Sequence, residues 1–268
     1  MAGLGEARVV GPADQVEDMV EPAVPERLGW LAGLLDAHSG ERIVDFGCGT
    51  GDALQVIAEC VAVEVIGLDF SSAALRTAAR ALGRLPGVGL LLVQADLTDP
   101  VSLVDTSVDR VLCHNVLECL SQPAALVSEA HRVLRPGGRL VPSHSDFDTL
   151  VFASEDLELT RRLVRAYCDT QQDWMESVDG TIGRRLVDIV GRSQMQIVDV
   201  QARANLSLRF QPGELGYAYA QNLAGALQAS GAADPGELNG WLSGLRRLDH
   251  RGAFLFSVND YAVVATRP

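Results

Sequence analysis

The sequence predicts a doubly wound α/β fold, in which helices cover both faces of a mostly parallel sheet. From about residue 40 to residue 145, short apolar runs alternate with segments of helical periodicity. Strands separated by helices of this length pair in parallel through right-handed crossovers. A glycine cluster follows the first apolar run, where a strand would turn into a helix. The chain can also form a sizeable core, because 47% of its 268 residues are hydrophobic and only 21% are charged.

Residues 1–40 are predicted to form an N-terminal helical cap. The first 24 residues are polar, and prolines break any long helix among them. From Pro25 onward, leucines recur at helical spacing up to Leu35, and Gly40 ends the helix.

Residues 41–150 carry most of the predicted sheet. Apolar runs predict strands at 42–46, 64–69, 89–94, 110–114 and 139–144. Helical periodicity predicts helices at 53–62, 71–85 and 124–134.

Residues 151–268 complete the same single domain, 1–268. Helices are predicted at 155–167 and 184–190, and strands at 196–203 and 254–265. A helical insertion of about 209–252, interrupted at 231–235, separates these last two strands. Because ligands bind beyond the carboxyl ends of strands in such sheets, the insertion is expected to act as a lid.

Composition and charge exclude several classes of protein. The net charge is −13, with 22 basic residues against 35 acidic ones, which argues against nucleic acid or an anionic membrane as partner. Every basic residue is arginine, which excludes Schiff-base and P-loop chemistry. The five cysteines lack C-x-x-C spacing, no acidic or histidine cluster has metal-ligand spacing, and no long apolar run spans a bilayer. We therefore expect a soluble cytoplasmic monomer or homodimer that binds no metal and acts on a small molecule.

The glycine turn follows the first predicted strand and reads Asp45-Phe46-Gly47-Cys48-Gly49-Thr50-Gly51-Asp52. Glycines let a backbone turn tightly and approach a ligand, and amides at a helix start bind anions. The third glycine falls one residue earlier than in the dinucleotide fingerprint, and Asp52 takes its place, which disfavours NAD and FAD. A zwitterionic amino-acid group suits the turn better, with Asp45 binding the ammonium. The alternative is a turn that binds nothing.

Acidic residues also end the next two predicted strands. Asp69 lies where a carboxylate can accept both hydroxyls of a ribose. Asp96 is placed to accept from an adenine amino group, with Leu97 against the ring. Each acid, taken alone, is more often a loop-capping residue, but three acids at successive strand ends, one of them beside the glycine turn, favour a ligand site.

These segments resemble class I S-adenosylmethionine-dependent methyltransferases. The resemblance covers roughly residues 40–145 and rests on 45–51, Asp69, 96–97, 109–117 and 132–140. It implies a Rossmann-like fold, S-adenosyl-L-methionine as cofactor and S-adenosyl-L-homocysteine as product. The implied cofactor-binding residues are Asp45, Gly47, Cys48, Gly49, Gly51, Asp69, Phe70, Asp96, Leu97 and His114, the last forming the floor beneath the sulfonium.

Within that superfamily, the chain is similar to the quinone-biosynthesis group. Segments 146–152 and 183–186 also resemble a small-molecule branch found in actinobacterial natural-product pathways. The resemblance implies an aromatic or heterocyclic acceptor in secondary metabolism, such as an indole or diketopiperazine. His144 stands where that branch usually has an acid.

Candidate catalytic groups follow the fourth and fifth predicted strands. His114 and His144 are candidate bases, and we predict that Asp146 pairs with His144, with Asp148 nearby. Glu118 is a further candidate for a polar contact to cofactor or substrate. Six aromatic residues could line the acceptor pocket, although most are expected to be core: Phe147, Phe152, Trp174, Tyr217, Tyr219 and Trp241.

The sequence therefore favours a small-molecule methyltransferase. An NAD(P)-dependent oxidoreductase and a non-catalytic, cofactor-binding regulatory subunit stay open as alternatives. The acceptor, and whether its carbon, nitrogen or oxygen is methylated, is not determined by the sequence.

Overall fold

The structure, a computed structural model, describes residues 9–10, 25–172 and 175–268. Its strands are β1 (Val9–Val10), β2 (Arg42–Phe46), β3 (Glu64–Asp69), β4 (Gly89–Gln94), β5 (Val108–His114), β6 (Leu134–Phe152), β7 (Gln196–Ser207) and β8 (Phe256–Thr266). Its helices are α1 (Pro25–Leu35), α2 (Asp52–Cys60), α3 (Ser72–Leu82), α4 (Pro123–Val133), α5 (Leu157–Cys168), α6 (Ile182–Gly191), α7 (Leu215–Ala229) and α8 (Pro235–His250), and a 3₁₀ turn covers Leu117–Cys119.

One sheet contains all of these strands in the order β1-β4-β3-β2-β5-β6-β8-β7. The pairs from β1 to β6 are parallel, and β8 runs antiparallel between β6 and β7. The predicted α/β fold is confirmed. The two-residue strand β1, which pairs with β4, was not predicted, because two valines among polar residues give no periodicity.

Strand β6 is longer than the sequence predicted. It continues to Phe152, and its last residues pair with β8 (Val151 with Ser257) after a register shift that follows Asp146. Two acids in this stretch, Asp146 and Asp148, interrupt the apolar alternation, so the sequence gives no strand signal beyond His144.

Three apolar clusters hold the helices against the sheet. Helices α1, α2 and α3 pack on one face, and α4 and α6 pack on the other. The third cluster joins α5, α7 and α8 to the extended ends of β6 and β8. The predicted insertion between β7 and β8 is present as α7 and α8, and Asp234 caps α8 by accepting from the amides of Gly236 and Glu237.

In the described ranges, no helix combines the length and the apolar character needed to cross a bilayer. The five cysteines are free thiols.

Candidate active site

The carboxyl ends of five parallel strands bring most of the predicted site residues to one edge of the sheet. The registers align Phe46 with Leu68, and Asp69 with Gln94. On the other side of β2, the strands align so that His114 lies beside Ser143. The glycine turn, the ends of β3 and β4, and the histidines of β5 and β6 therefore meet along this edge.

The glycine turn between β2 and α2 depends on glycine at specific positions. Gly47 and Gly51 have φ of +76° and +83°, in the left-handed region that L residues rarely adopt. A Cβ on Gly47 would overlap the side chain of Val116, and one on Gly51 would lie 3.0 Å from Cβ of Ala78. A Cβ on Gly49 would meet no atom within 4 Å, so the turn is open at this position.

Asp69 holds the turn in place. Its two carboxylate oxygens accept hydrogen bonds from the backbone amides of Gly49 (2.8 Å) and Ser71 (2.9 Å), which joins the turn to the start of α3. Asp45 lies beneath the same turn and is 3% exposed. Burial, together with the nearby charge of Asp69, raises the pKa of Asp45 well above its ordinary value.

Cys48 packs under the turn against Gly67, where a side chain on Gly67 would overlap its sulfur. Burial, and then the charges of Asp45 and Asp69, raise the pKa of the Cys48 thiol well above its ordinary value. The thiol is therefore a packing group rather than a nucleophile.

Beyond β4, Asp96 is exposed and caps its own loop. One of its oxygens accepts from the amide (2.9 Å) and the hydroxyl (2.7 Å) of Thr98. Leu97 packs against the apolar cluster on the α4 face, and Phe70, at the end of β3, is 42% exposed. Asp96 thus has the loop-capping role, which does not prevent its second oxygen from contacting a ligand.

His144 is fully buried on β6 and pairs with Glu118, a buried residue of the 3₁₀ turn. Its Nε2 faces the Glu118 carboxylate, and its Nδ1 lies 2.5 Å from the carbonyl oxygen of Ser145. Desolvation lowers the pKa of His144, but the Glu118 carboxylate, together with the Ser145 carbonyl and the charge of Asp260, raises the pKa above its ordinary value. Because both ring nitrogens face acceptors, the pair favours a protonated imidazole.

The predicted pairing of His144 with Asp146 is wrong. Asp146 is fully buried and binds Arg184 of α6 through two bonds of 2.6 Å each. Arg184 also lies 3.3 Å from Asp148. His144 and Asp146 are two residues apart, but each pairs with an oppositely charged side chain from another element: His144 with Glu118 and Asp146 with Arg184.

A buried polar network lies next to His144, and the sequence analysis missed it. Arg27 of α1 donates to both carboxylate oxygens of Asp260 on β8 (2.6 and 3.2 Å) and to the hydroxyl of Ser145 (2.8 Å). Ser145 donates to Asp260 (2.6 Å) and accepts from Tyr219 of α7 (2.9 Å). Burial alone would raise the pKa of Asp260, but Arg27, with a smaller contribution from His114, lowers it. One feature of the sequence could have predicted this network: Asp260 is an acid among the apolar residues of one face of the last strand.

His114 lies half-buried at the end of β5, and a sharp backbone turn follows it. Asn115 has φ +53°, and its side-chain oxygen accepts from the amide of Ser145 at 3.0 Å. The ends of β5 and β6 are thereby held together beside the glycine turn.

Aromatic side chains line the α5–α7 side of this edge. Phe147 is partly buried and packs edge-on against His144, with ring centroids 5.5 Å apart. It also contacts Tyr167 (5.4 Å) and Tyr219 (6.0 Å). Phe152 and Trp241 are core residues, as expected, with ring centroids 5.2 Å apart. Trp174 lies outside the described residues.

Comparison with known proteins agrees with this geometry. Residues 44–141, which contain the glycine turn and the strand ends up to β6, match the family described as a methyltransferase domain. An uncharacterised 37.1 kDa protein in transposon Tn4556 of Streptomyces fradiae is 31% identical over 91% of this chain and 72% of its own length. A probable S-adenosylmethionine-dependent methyltransferase of Mycolicibacterium smegmatis is 41% identical over 37% of this chain and 36% of its own length.

The chain belongs to the class I S-adenosylmethionine-dependent methyltransferases.

One further relative is similar to part of this methyltransferase, and a solved structure is similar to its fold. A demethylmenaquinone methyltransferase of Tropheryma whipplei is 34% identical over 40% of this chain and 43% of its own length. The match to these two relatives, which are named for an activity, thus spans less than half of the length of each. The crystal structure of a putative methyltransferase from Bacillus halodurans superposes with a TM-score of 0.58 at 17% identity and covers 91% of this chain and 99% of its own. At that identity, the structural likeness shows the fold alone.

Proposed function

We propose that this methyltransferase binds S-adenosylmethionine along the glycine turn and transfers its methyl group to a small aromatic or heterocyclic acceptor. The open position at Gly49 supports a ligand against the turn, and Asp69, which bonds to the same turn, lies where the ribose hydroxyls would follow. Asp96, Leu97 and Phe70 would surround the adenine. S-adenosylmethionine supplies an activated methyl group, so the protein's work is to orient the acceptor and exclude water.

The acceptor class is argued from the aromatic side chains beside His144. Phe147 is half-buried at the border between the sheet and the helices α5 and α7 and presents an aromatic surface there, with the buried rings of Tyr167 and Tyr219 packed behind it. Flat apolar acceptors stack on such surfaces. One relative is named for the methylation of demethylmenaquinone, which is a quinone, and another is encoded in a transposon of Streptomyces fradiae. The quinone relative and the aromatic surface of Phe147 support an aromatic acceptor; within that class we propose a natural product such as an indole or a diketopiperazine, and a role in secondary metabolism.

The observation that carries the catalytic part of the proposal is the buried pair of Glu118 and His144. An acceptor hydroxyl or amine that is methylated must lose a proton, which an adjacent base can take. Each ring nitrogen of His144 faces an acceptor, which favours the protonated imidazole, and His144 is 0% exposed, whereas Glu118 is 6% exposed. We therefore assign proton acceptance to the Glu118 carboxylate, with His144 as the positioning residue. This revises the prediction that His144 is itself the base.

The cytoplasm is the proposed location, on the ground that the cysteines are free thiols in the structure. The oxidoreductase and the non-catalytic alternatives gain no support from the comparisons.

Calorimetric titration with S-adenosylhomocysteine, and with NADH and NADPH in parallel, tests the cofactor. We expect micromolar binding of S-adenosylhomocysteine alone. A preference for a nicotinamide would overturn the cofactor assignment. A panel of phenols, quinols, indoles and diketopiperazines would then be screened for S-adenosylhomocysteine release, and tight cofactor binding without release from any acceptor would favour a regulatory subunit.

With an active acceptor, the pH dependence of kcat tests the catalytic pair. Glu118→Gln is expected to lower kcat ~100-fold or more and to flatten its pH profile, with little change in cofactor affinity. His144→Gln should lower kcat less and displace the profile. Asp146→Asn is the matched control, because Asp146 is also a buried acid but bonds to Arg184 rather than to His144. An unchanged profile in Glu118→Gln would remove Glu118 as the base.

A further inference from the structure

Strand β7 lies at one end of the sheet, and among the described residues its outer edge is unpaired. It spans twelve residues, Gln196–Ser207, and pairs with β8 on its inner side. Across the described ranges, no other strand pairs with it. A long edge strand presents unpaired backbone donors and acceptors that can bind another strand, and soluble proteins usually shorten or cover such edges.

The outward face of β7 is also apolar. Val200 is 47% exposed, Leu206 is 63% exposed, and Ala202 and Ala204 between them are exposed as well. These residues alternate along the strand, so their side chains form a continuous row on one face of the sheet. Leu208, just past the strand, extends the row and is 63% exposed. No charged residue interrupts the row from 200 to 206 on this face. Edge strands that are protected from pairing usually carry such a charge.

The opposite face of the same strand carries two charges of opposite sign. Asp199, Gln201 and Arg203 are successive residues on this face, since they align in regular register with Val264, Ala262 and Asp260 of β8. Asp199 accepts hydrogen bonds from the amide of Val200 and the side chain of Gln201, and Arg203 donates to Asn205. In the part of the chain that the structure describes, neither charge forms an ion pair with a group of opposite sign.

This pattern is complementary to itself. In an antiparallel pair of β7 strands related by a twofold axis at Gln201, Asp199 of each copy lies opposite Arg203 of the other. Directly opposed charges of opposite sign stabilise an antiparallel pair, and the twofold axis forms this contact twice. On the apolar face, the same register places Val200 opposite Ala202. The strand contributes no net charge, so the contact adds no local repulsion although each chain carries −13.

We propose that β7 is a homodimer interface, in which two copies of the chain pair their edge strands antiparallel about Gln201. The pairing satisfies the open backbone groups and sets the apolar rows of the two copies side by side, which buries part of each row. We assign the partner as a second copy because the charges of β7 complement those of the same strand running in the opposite direction. Binding to a strand of another protein would not require this symmetry.

Sedimentation velocity of the full chain over a concentration series tests the proposal. The expected particle has about 57 kDa, twice the 28.6 kDa of one chain. Asp199→Arg and Arg203→Asp should each weaken dimerisation at least 10-fold, because each places like charges opposite one another twice. Arg246→Asp is the matched control for charge, since Arg246 is exposed on α8. Its dimerisation should equal that of the parent chain.

An equimolar mixture of the two charge variants gives the decisive result. Each variant repels itself, but a heterodimer of the two restores both opposed pairs, so dimers should reappear on mixing. This outcome also shows that neither variant is simply unfolded. A parent chain that stays monomeric up to roughly 100 μM, where even a weak dimer would be populated, would overturn the proposal. So would dimers unaffected by both substitutions, or variants that stay monomeric when mixed.

Discussion

Replacing Arg27 by methionine should destabilise the protein strongly, because it leaves a buried carboxylate without its cation. Asp260 is 0% exposed, and Arg27 donates to both of its oxygens. Breaking a buried ion pair by removing one partner costs about 3–5 kcal/mol. For a chain of this size, such a loss lowers Tm by roughly 6–20 °C. The substitution should also loosen α1, because Arg27 joins the first turn of this helix to Ser145 of β6 and Asp260 of β8.

The effect of Arg27→Met should depend on pH in a defined direction. In the parent chain the pKa of Asp260 is lowered, so the pair stabilises the fold above the unfolded pKa of about 4, and this contribution is lost as pH falls through the folded value. Without Arg27, burial raises the pKa of Asp260 above the unfolded value. The variant is then penalised as pH rises, and the stability difference from the parent should shrink between pH 7 and pH 5.

Urea unfolding of four proteins at both pH values measures this: the parent, Arg27→Met, Asp260→Asn and the double variant. The double variant should be more stable at pH 7 than Arg27→Met alone, because its buried amide carries no charge. Arg246→Met is the control for loss of an exposed arginine. A pH-independent loss, or a double variant in which the two losses simply add, would refute the argument that the pair is coupled.

Three further outcomes are expected. Gly47→Ala should lower the free energy of unfolding by about 1–2 kcal/mol or more from its left-handed φ alone. It should also abolish S-adenosylhomocysteine binding in calorimetry, because the new Cβ displaces Val116. Unchanged binding would show that the turn tolerates a side chain. Asp69→Ala should weaken that binding at least 10-fold while far-UV circular dichroism stays native, and equal affinity would remove Asp69 from the ribose site. Iodoacetamide at pH 8 should label the exposed Cys60 first, as measured by mass spectrometry. Burial raises the thiol pKa of Cys48, Cys113 and Cys119, and it raises that of Cys168 to about 12, so these thiols should react slowly. Prompt labelling of Cys48 would contradict its packing under the glycine turn.

The parallel part of the sheet was predictable because its strands are buried on both faces. Such strands read as continuous apolar runs, and the observed bounds of β2, β3 and β4 agree with the predicted ones. The glycine turn and the acid at the end of β3 follow directly from those bounds. Strand β6 was cut short in the prediction because its outer part is specified by pairing with β8, a strand more than a hundred residues away.

The sequence by itself determined the fold class, the family and the edge of the sheet on which the candidate site lies. These depend on periodicity and on motifs within a few residues of one another. Only the tertiary structure decided the partners of the buried charges. His144 and Asp146 differ by two residues, yet one binds Glu118 and the other binds Arg184, while Arg27 reaches Asp260 across 233 positions. A buried charge takes whichever opposite charge the packing brings closest, because leaving it unpaired in the interior costs several kcal/mol, and sequence distance does not enter that free energy.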